Sequence, residues 1–429
     1  MSKSFSKALL NEYISKLVKL WKGKNLKNPE RSPLNKNEIT SVAQSLLKLQ
    51  RGLTGDKHLA GAGYMQDNFL LGAYLLYYWP VSFLQLLTIC ADAEKKMQEI
   101  YITVQGENRP IRILDLGCGP GAACCAILSF FSRLGEKKIS SDVYLSDSSP
   151  KALDIAEKLV ESNPHSDNIF VEKSVDNLED RAFFDSFADK KFDVIVMSHS
   201  LNELWKNDVD KIEKRIDFIE NCINHLTENG VVIINEPSVL DTSRALLETR
   251  NGLVKRGAHI VCPCICNAEC PALIAGPNHT CHCENAWNVD EIVSAIAKEA
   301  KLDRESVKMT YFVFERKSNS VCELEKSDLF SDEKSCLSQK PSLLRGRIVS
   351  DGMLNKSGRV RFLLCNGKER VSVSAKNMEA HAQSEGFFNL KRYTLVEIEN
   401  PEKRGDENNI SWGIGAETKI RIIKTLEEL

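Results

Sequence analysis

Six of the fourteen cysteines of this chain lie in one short stretch, residues 261–285. Thiolates bind soft metals, and a bound metal neutralises their charge and cross-links a segment that has little core of its own. Polar residues surround these cysteines, so burial as small hydrophobic side chains is a poor explanation for them. The stretch predicts a metal site, with candidate ligands at Cys262, Cys264, Cys266, Cys270, Cys281 and Cys283.

The spacing of the thiols leaves the metal open between zinc and an iron–sulfur cluster. Four thiolates suit tetrahedral zinc, and His279 or His282 could replace one of them. Cys-Pro steps such as Cys270-Pro271 occur in several ferredoxin-like sites and favour iron. We find no secretory signal, so we expect metal ligation in a reducing compartment rather than disulfides. The cysteines outside this stretch that we expect to be buried in the core are Cys118, Cys124, Cys125 and Cys222.

A second set of residues has the types and spacing of a nucleotide-cofactor site. An apolar run ends at Asp115 and leads into a turn that contains Gly117, Gly119 and Gly121. Glycines in such a turn let the backbone approach a ligand closely. The next apolar run ends at Asp147, the position at which doubly wound folds bind ribose hydroxyls. The alternative is a Rossmann-like domain that has kept its turns and binds nothing.

The third glycine comes too early for the dinucleotide pattern Gly-x-Gly-x-x-Gly. This shorter spacing resembles that of the class I S-adenosylmethionine-dependent methyltransferases. By that resemblance, Asp115 faces the methionine ammonium and Asp147 the ribose diol, while Asp176 and Asn177 contact the adenine. Ser198, at the end of the fourth predicted strand, lies at the same cofactor-facing edge.

Candidate catalytic residues follow the fourth and fifth predicted strands. Methyl transfer requires a base only when the acceptor atom carries a proton that must leave. Asn202, Glu203 and Glu236 lie near the donor edge and could contact an acceptor, but neither Asn-Pro-Pro-Tyr nor a catalytic cysteine pair is found. Capping of a helix near Asp208 is an equally good explanation for Asn202 and Glu203.

Several further segments occur together and in order: Leu201–Leu204, Glu236-Pro237, Pro263-Cys264, Cys270-Pro271 and Cys281-His282. Together they resemble the small-ribosomal-subunit methyltransferase-like family of bacteria and mitochondria, over about residues 70 to 375. The resemblance implies binding to the small ribosomal subunit during assembly and a 4Fe-4S cluster. It also implies the ligands Cys264, Cys270, Cys281 and Cys365, with Cys262, Cys266 and Cys283 as alternates present in this chain.

The elements that position these residues follow from the hydrophobic pattern. Seven apolar runs alternate with helical stretches, which predicts a Rossmann-like α/β fold of the class I methyltransferase type. We expect an N-terminal helical domain at 1–105, the methyltransferase domain at 106–317 with its cysteine loop at 262–283, and a polar linker at 318–342. A small OB-like β-domain is predicted at 343–429.

The net charge of −2 and pI near 6.5 exclude a uniformly basic nucleic-acid coat. Contact with small-subunit rRNA must then come from a local patch, and the C-terminal runs are rich in basic and aromatic residues. A solvated strand face is the alternative. The basic residues in question are Arg345, Arg347, Arg359, Arg361, Lys368, Arg370, Lys376, Lys391 and Arg392.

The longest apolar stretch, Phe69–Leu87, contains Gly72, Pro80 and Gln85, so we expect a buried helix followed by a turn and no membrane partner. We expect a cytoplasmic protein, with the mitochondrial matrix as the alternative. The sequence gives no indication of the oligomeric state. Three hypotheses for the function remain open: an rRNA methyltransferase, a non-catalytic assembly factor, and a zinc-stabilised methyltransferase with a non-RNA substrate.

Overall fold

The computed structural model describes residues 3–23, 34–52, 65–135, 138–164, 166–286, 289, 291–302, 306–316, 342–404 and 411–426. The predicted linker at 318–342 lies outside these residues except for Ser342. The N-terminal helices are α1 (Lys3–Lys22), α2 (Lys36–Gln50), α3 (Asn68–Ala73), α4 (Trp79–Asp92) and α5 (Glu94–Gly106).

A mixed sheet follows these helices. Its strands are β1 (Ile111–Leu116), β2 (Ile139–Asp147), β3 (Ser166–Val175), β4 (Phe192–Ser198), β5 (Leu226–Glu236), β6 (His259–Cys262), β7 (Cys283–Ala286) and β8 (Ser306–Glu315). The helices that accompany it are α6 (Ala122–Phe131), α7 (Pro150–Glu161), α8 (Lys211–Asn224), α9 (Leu240–Lys255), α10 (Pro271–Ile274) and α11 (Glu291–Glu299).

The strand order of this sheet is β3-β2-β1-β4-β5-β8-β6, with β7 paired to another part of β8. β1 to β5 are parallel, and β8 runs antiparallel to β5, β6 and β7. The order reverses between β1 and β4, where α/β folds bind ligands outside the carboxyl ends of the strands. All seven predicted strands are present, which confirms the Rossmann-like α/β fold class in its core.

The N-terminal helices pack against one face of this sheet rather than forming a core of their own. One cluster of buried side chains includes Leu10 of α1, Phe83 of α4, Cys125 of α6 and Val143 of β2. A second cluster, on the other face, contains Phe218 of α8 and Leu247 of α9. The helical segment is therefore close to the carboxyl edge of the strands, and the domain boundary near residue 105 stays a prediction.

Residues Asn68–Asp92 form one continuous helix, which is long and apolar enough by length and composition to cross a membrane; 83% of its most apolar window is buried inside the protein. The expected buried helix is present, and the turn that follows it lies at Ala93, beyond Leu87. A π-helical turn, Tyr74–Tyr78, leads directly into α4, and the Trp79 N–H donates to the Tyr74 carbonyl. Pro80 therefore lies inside a continuous helix, two residues after this π-helical turn.

The C-terminal strands form a second sheet in the order β14-β15-β12-β11-β9-β13-β16, with β10 paired to β11. It has its own core, which includes Phe362, Phe387 and Trp412. The strands are β9 (Leu343–Ile348), β10 (Met353–Leu354), β11 (Arg359–Cys365), β12 (Arg370–Lys376), β13 (Leu395–Glu399), β14 (Glu402–Arg404), β15 (Ser411–Gly413) and β16 (Lys419–Lys424), with α12 at Ala380–Ser384.

Candidate functional site

The glycine turn follows β1 at the point where the sheet order reverses. Gly117, Gly119 and Gly121 have φ of +68°, +51° and +74°, which side chains with a Cβ rarely adopt. A Cβ on Gly117 would also lie 2.5 Å from the Cβ of Ser200. A hydrogen bond to β2 holds the turn in place, because the Gly117 N–H donates to the Ser146 carbonyl at 2.8 Å. Without side chains, the backbone of this turn can contact a ligand closely.

Two carboxylates flank this turn, the buried Asp115 and the half-buried Asp147. Asp115 is 1% exposed; its Oδ2 accepts from the Cys124 N–H at 3.2 Å, and its Oδ1 has no hydrogen-bond partner among the described residues. Burial raises the pKa of Asp115 to about 7. Asp147 accepts from the N–H groups of Gly119 and Ser149, both at 2.8 Å, and burial raises its pKa as well. The unsatisfied oxygen of Asp115 suits a cationic donor.

The other predicted cofactor-binding residues lie at the ends of the neighbouring strands. Asp176 accepts from the hydroxyls of Ser146 and Ser174, both at 2.7 Å. Ser198 ends β4, and its Oγ accepts from Asn235 Nδ2 at 3.1 Å. Asn177 follows Asp176, and its Oδ1 accepts from the Glu179 N–H at 3.1 Å. The fold brings these residues to one sheet edge; their contacts with a cofactor stay a prediction.

The N-terminal helices contribute to this edge in a way that the sequence did not indicate. The Trp79 indole N–H donates to the Pro120 carbonyl at 3.0 Å. A Cβ on Gly119 would lie 3.4 Å from the Tyr74 hydroxyl. Burial and the nearby Asp147 carboxylate both raise the pKa of Tyr74. The π-helical turn is thus part of the wall around the glycine turn.

Two of the three candidate catalytic residues form a buried pair. Asn202 donates to Glu236 twice, from its backbone N–H at 3.0 Å and from Nδ2 at 2.6 Å. Burial raises the pKa of Glu236 to about 8, against the opposing effect of these bonds. Asn202 therefore supports the loop after β4 and does not cap α8, which begins at Lys211 without a side-chain cap. Glu203 is on the surface, in an ion pair with Lys206 at 3.3 Å.

A histidine that the sequence analysis did not single out follows β4 directly. The Nε2 atom of His199 lies 2.8 Å from Gln85 Oε1 on α4, and Asn235 Nδ2 lies 3.0 Å from the same oxygen. His199 has a φ of +61°. Gln85 is 114 residues away in the chain, so no local spacing could have indicated this cluster.

The four cysteines that the family resemblance implies as ligands are brought to one cavity. Cys264, Cys270, Cys281 and Cys365 all line it, the last from β11 of the C-terminal sheet. Leu247, Phe312, Pro263 and Pro271 form the apolar part of the wall. The cavity thus lies between the cysteine loop and the C-terminal sheet.

The alternate cysteines are outside this lining. Cys262 and Cys283 are buried in the core cluster that contains the N-terminal helices. Cys266 contacts the β11–β12 turn, where a Cβ on Gly367 would lie 2.4 Å from its Sγ. Cys118, Cys124, Cys125 and Cys222 are buried, as predicted. The geometry therefore distinguishes the four implied ligands from the three alternates, although ligation itself stays a prediction.

The cavity combines crowded thiols with positive charge. Burial and the nearby Cys270, Cys281 and Cys365 together raise the pKa of Cys264 to about 12, against the opposing effect of Arg250. The Arg250, Arg347 and Arg370 side chains also line the cavity. A bound metal would lower the pKa of these thiols, because it favours the thiolate form. Across the described ranges, no group of three or more His, Cys, Asp or Glu residues is arranged to hold a metal ion.

The C-terminal sheet is held next to the cavity by buried polar contacts. Arg347 of β9 donates to Asp92 Oδ1 of α4 at 2.8 Å, and the Tyr311 hydroxyl donates to Asp92 Oδ2 at 2.8 Å. Although burial opposes ionisation, Arg347 holds the pKa of Asp92 below its usual range. At the cavity itself, Tyr393 Oη lies 3.3 Å from Cys281 Sγ.

Internal contacts lower the number of arginines that the predicted RNA-binding face can offer to RNA. Four of its arginines have partners within the protein. Arg345 pairs with Glu397, Arg347 with Asp92 and Arg392 with Asp351, and Arg370 donates to the Thr280 carbonyl. Arg347 is buried and is removed from the face on that ground. On β11, Arg361 is exposed, and Arg359 is half-buried against the Ser374 carbonyl at 3.3 Å.

The sequence profile of the family described as "Mitochondrial small ribosomal subunit Rsm22" matches residues 73–383, more than half of the chain. The chain belongs to the Rsm22 family. This membership confirms the resemblance to a small-subunit methyltransferase-like family, and the matched residues include the glycine turn and all four cysteines of the cavity. The search of curated proteins found no match.

Solved methyltransferases resemble this Rsm22 family member weakly. The plantazolicin methyltransferase BpumL in complex with SAH has 13% identity over 66% of this chain and 98% of its own, with a TM-score of 0.31. An S-adenosylmethionine-dependent methyltransferase from Clostridium acetobutylicum has 14% identity over 52% and 92%, with a TM-score of 0.28. The ribosomal protein L11 methylase from Lactobacillus delbrueckii has 17% identity over 52% and 78%, with a TM-score of 0.26.

Proposed function

We propose that this Rsm22 family member binds S-adenosylmethionine and methylates small-subunit rRNA during assembly of the small ribosomal subunit. The observation that carries the proposal is the buried Asp115 and the half-buried Asp147, two carboxylates on either side of a glycine turn at the carboxyl edge of the sheet. An acid that is buried with one oxygen unsatisfied is costly in the free protein. A ligand ammonium would satisfy it.

The donor would be held by residues from four strand ends. Asp115 accepts from the methionine ammonium, Asp147 from the ribose diol, and Asp176 with Asn177 contacts the adenine. Gly117, Gly119 and Gly121 supply the close backbone, and Ser198 completes the edge. When bound, S-adenosylmethionine supplies an electrophilic methyl group. The protein's own part is to hold and orient the acceptor and to exclude water from it.

We further propose a 4Fe-4S cluster on Cys264, Cys270, Cys281 and Cys365. The four thiols line one cavity with Arg250 and Arg370, and those cations would offset the net negative charge of a cluster with four thiolate ligands, whereas the charge of Arg347 is balanced by Asp92. Zinc is the alternative, since it uses the same donor set. In both cases the bound metal would join the C-terminal β-domain, which we propose to be OB-like, to the methyltransferase domain.

The proposed RNA contact is the outer side of β11. Arg359 and Arg361 alternate with Val360 and Phe362, and Phe362 is buried in the core of the C-terminal sheet. The two arginines thus share one side of the strand, where they can reach phosphates. We also propose the mitochondrial matrix, rather than the cytoplasm, as the compartment of this protein, and the word "Mitochondrial" in the family description supports this.

A non-catalytic assembly factor is the second candidate. Two observations favour it: the sequence has no acceptor-site motif, and Asn202 and Glu236 are hydrogen-bonded to each other. In that case the donor would be a structural or sensing ligand, while the cluster and β11 contact rRNA. A zinc-stabilised methyltransferase with a non-RNA substrate is the third candidate, and it leaves β11 without a role.

One experiment separates the three. Small ribosomal subunits purified from cells that lack the gene are incubated with the purified protein and S-adenosylmethionine labelled in its methyl group, and bound RNA is identified by crosslinking. Label in rRNA supports the enzyme. Crosslinks to rRNA without transfer of label support the assembly factor. Neither label nor crosslinks, with intact donor binding, supports the third candidate.

A further inference from the structure

His199 is placed where a donor and an acceptor would meet, if the proposed methyltransferase function holds. It follows β4 at the carboxyl edge of the sheet, next to Ser200, which packs against Gly117 of the glycine turn. Its φ of +61° is unusual for a residue with a Cβ, and its own N–H donates to the Asn235 carbonyl at 2.8 Å. Such backbone conformations cluster at functional sites, because the surrounding structure must enforce them.

The hydrogen-bond chain around His199 determines which ring nitrogen carries the proton. The Gln85 amide donates from Nε2 to the Lys308 carbonyl at 3.2 Å, so its Oε1 is the atom that faces the ring. A carbonyl oxygen can only accept, and it lies 2.8 Å from His199 Nε2. Both hydrogens of the nearby Asn235 Nδ2 have acceptors in Gln85 Oε1 and Ser198 Oγ, so Nε2 carries the hydrogen that Gln85 accepts, and Nδ1 is a bare acceptor in the neutral ring.

This Nδ1 atom is available to a ligand. It has no hydrogen-bond partner among the described residues. It is also not fully buried, in contrast to the unbonded Nδ1 of His282. The ring is half-buried. Burial lowers the pKa of His199 to about 4, so the neutral form is present at physiological pH.

We propose that His199 Nδ1 accepts the N–H of the methyl acceptor, and that this acceptor is an exocyclic amine of an RNA base. Methylation of a base carbon would need a thiolate nucleophile at the site. The cysteines next to the turn, Cys118 and Cys124, are poor candidates because burial raises the pKa of both thiols well above the usual value. A neutral imidazole beside the donor edge suits an amine.

The step balances without any further reagent. The amine nitrogen forms a bond to the methyl carbon as the carbon–sulfur bond of the donor breaks, and that electron pair stays on sulfur. The proton that the nitrogen loses passes to His199 Nδ1, and the resulting imidazolium releases it to water. Gln85 keeps the ring in place throughout, because its Oε1 accepts from the Nε2–H, and Asn235 Nδ2 in turn holds that oxygen by donating to it at 3.0 Å.

His199→Ala tests the proposal, with His225→Ala as the matched control, because His225 precedes β5 at the opposite edge of the sheet. Transfer of labelled methyl to small subunits from cells lacking the gene should fall by about 10²–10⁴-fold in His199→Ala. The affinity for S-adenosylmethionine, measured by calorimetry, should stay within about twofold in both variants. Transfer at the parent rate by His199→Ala would overturn this inference and leave the proposed function standing. No transfer by the unaltered protein would overturn both.

A second readout is independent of activity. Nitrogen NMR of the full-length protein labelled at histidine should show His199 with protonated Nε2 and bare Nδ1 between about pH 6 and 8. The signal should be assigned by its loss in His199→Ala. The opposite tautomer, or a ring protonated at neutral pH, would overturn the inference even if transfer were lost in the variant.

Discussion

Gly367, in the turn between β11 and β12, lies directly against Cys266 of the cysteine loop, so that a Cβ on Gly367 would come within 2.4 Å of the Cys266 Sγ atom. Gly367 also has a φ of +90°. The C-terminal sheet therefore approaches the cysteine loop so closely that a Cβ at position 367 would clash with it. Gly367 lines the same cavity as Cys365, which belongs to the same sheet.

This contact gives the first prediction. Gly367→Ala should reduce the metal content of the purified protein, because the added methyl group pushes Cys266 and its loop away from β11. Gly358→Ala is the matched control: it has a φ of +71° and nothing within 4 Å of the added Cβ. Both variants should lose roughly 1–2 kcal/mol of unfolding free energy from backbone strain. Equal metal content in the two would show that the contact does not support the site.

The second prediction concerns donor binding. Asp147→Ala should weaken the binding of S-adenosylmethionine at least tenfold in calorimetry, because a charge-assisted hydrogen bond is worth about 1.5–3 kcal/mol. Some thermal stability should also be lost, since Asp147 accepts from two backbone N–H groups. Asp142→Ala, earlier on the same strand, should leave the affinity unchanged. An unaltered affinity in Asp147→Ala would remove this residue from the site.

The third prediction is a pH dependence. Burial raises the pKa of Asp115 to about 7, so below that pH the acid must lose a proton before it can pair with the donor ammonium. The affinity for S-adenosylmethionine should therefore rise with pH between about 5.5 and 7, by up to about tenfold per unit, with proton release on binding. In Asp115→Asn the affinity should be lower and independent of pH over this range. A flat profile in the unaltered protein would contradict the role assigned to Asp115.

The fourth prediction concerns RNA. Reversing the charges of Arg359 and Arg361 together should weaken binding to small-subunit rRNA and reduce the slope of log affinity against log salt by about 2, one for each phosphate contact. The control reverses Lys158 and Lys298, which are exposed on α7 and α11. If both double variants bind rRNA like the parent at every salt concentration, the outer side of β11 is merely solvated.

The sequence predicted the central strands of the first sheet well, because β1, β4 and β5 are apolar runs between polar segments and are buried on both faces. It missed β7, because Cys283–Ala286 is short and contains Glu284 and Asn285, and in the C-terminal sheet it missed β10, β14, β15 and β16. It also gave no sign that the helix continues through Pro80, where the π-helical turn leads into α4.

For the site, Asp115 and Asp147 were found because strand ends and glycine spacing are local signals. Cys365 was indicated only by the family resemblance, since no spacing connects it with a loop more than eighty residues earlier. His199 was missed because its partners, Gln85 and Asn235, come from distant elements. Contacts that form only in the folded chain left no pattern in the sequence to recognise.

The central claim, that Cys264, Cys270, Cys281 and Cys365 hold one iron–sulfur cluster that joins the two sheets, is tested most directly by iron and acid-labile sulfide content. The full-length protein should be purified anaerobically, together with Cys264→Ser and Cys365→Ser and with the controls Cys262→Ser and Cys283→Ser. We predict about four iron and four sulfide per chain in the parent and in both controls, and almost none in the two ligand variants. One zinc and no iron in the parent, or full iron content in Cys365→Ser, would contradict the account.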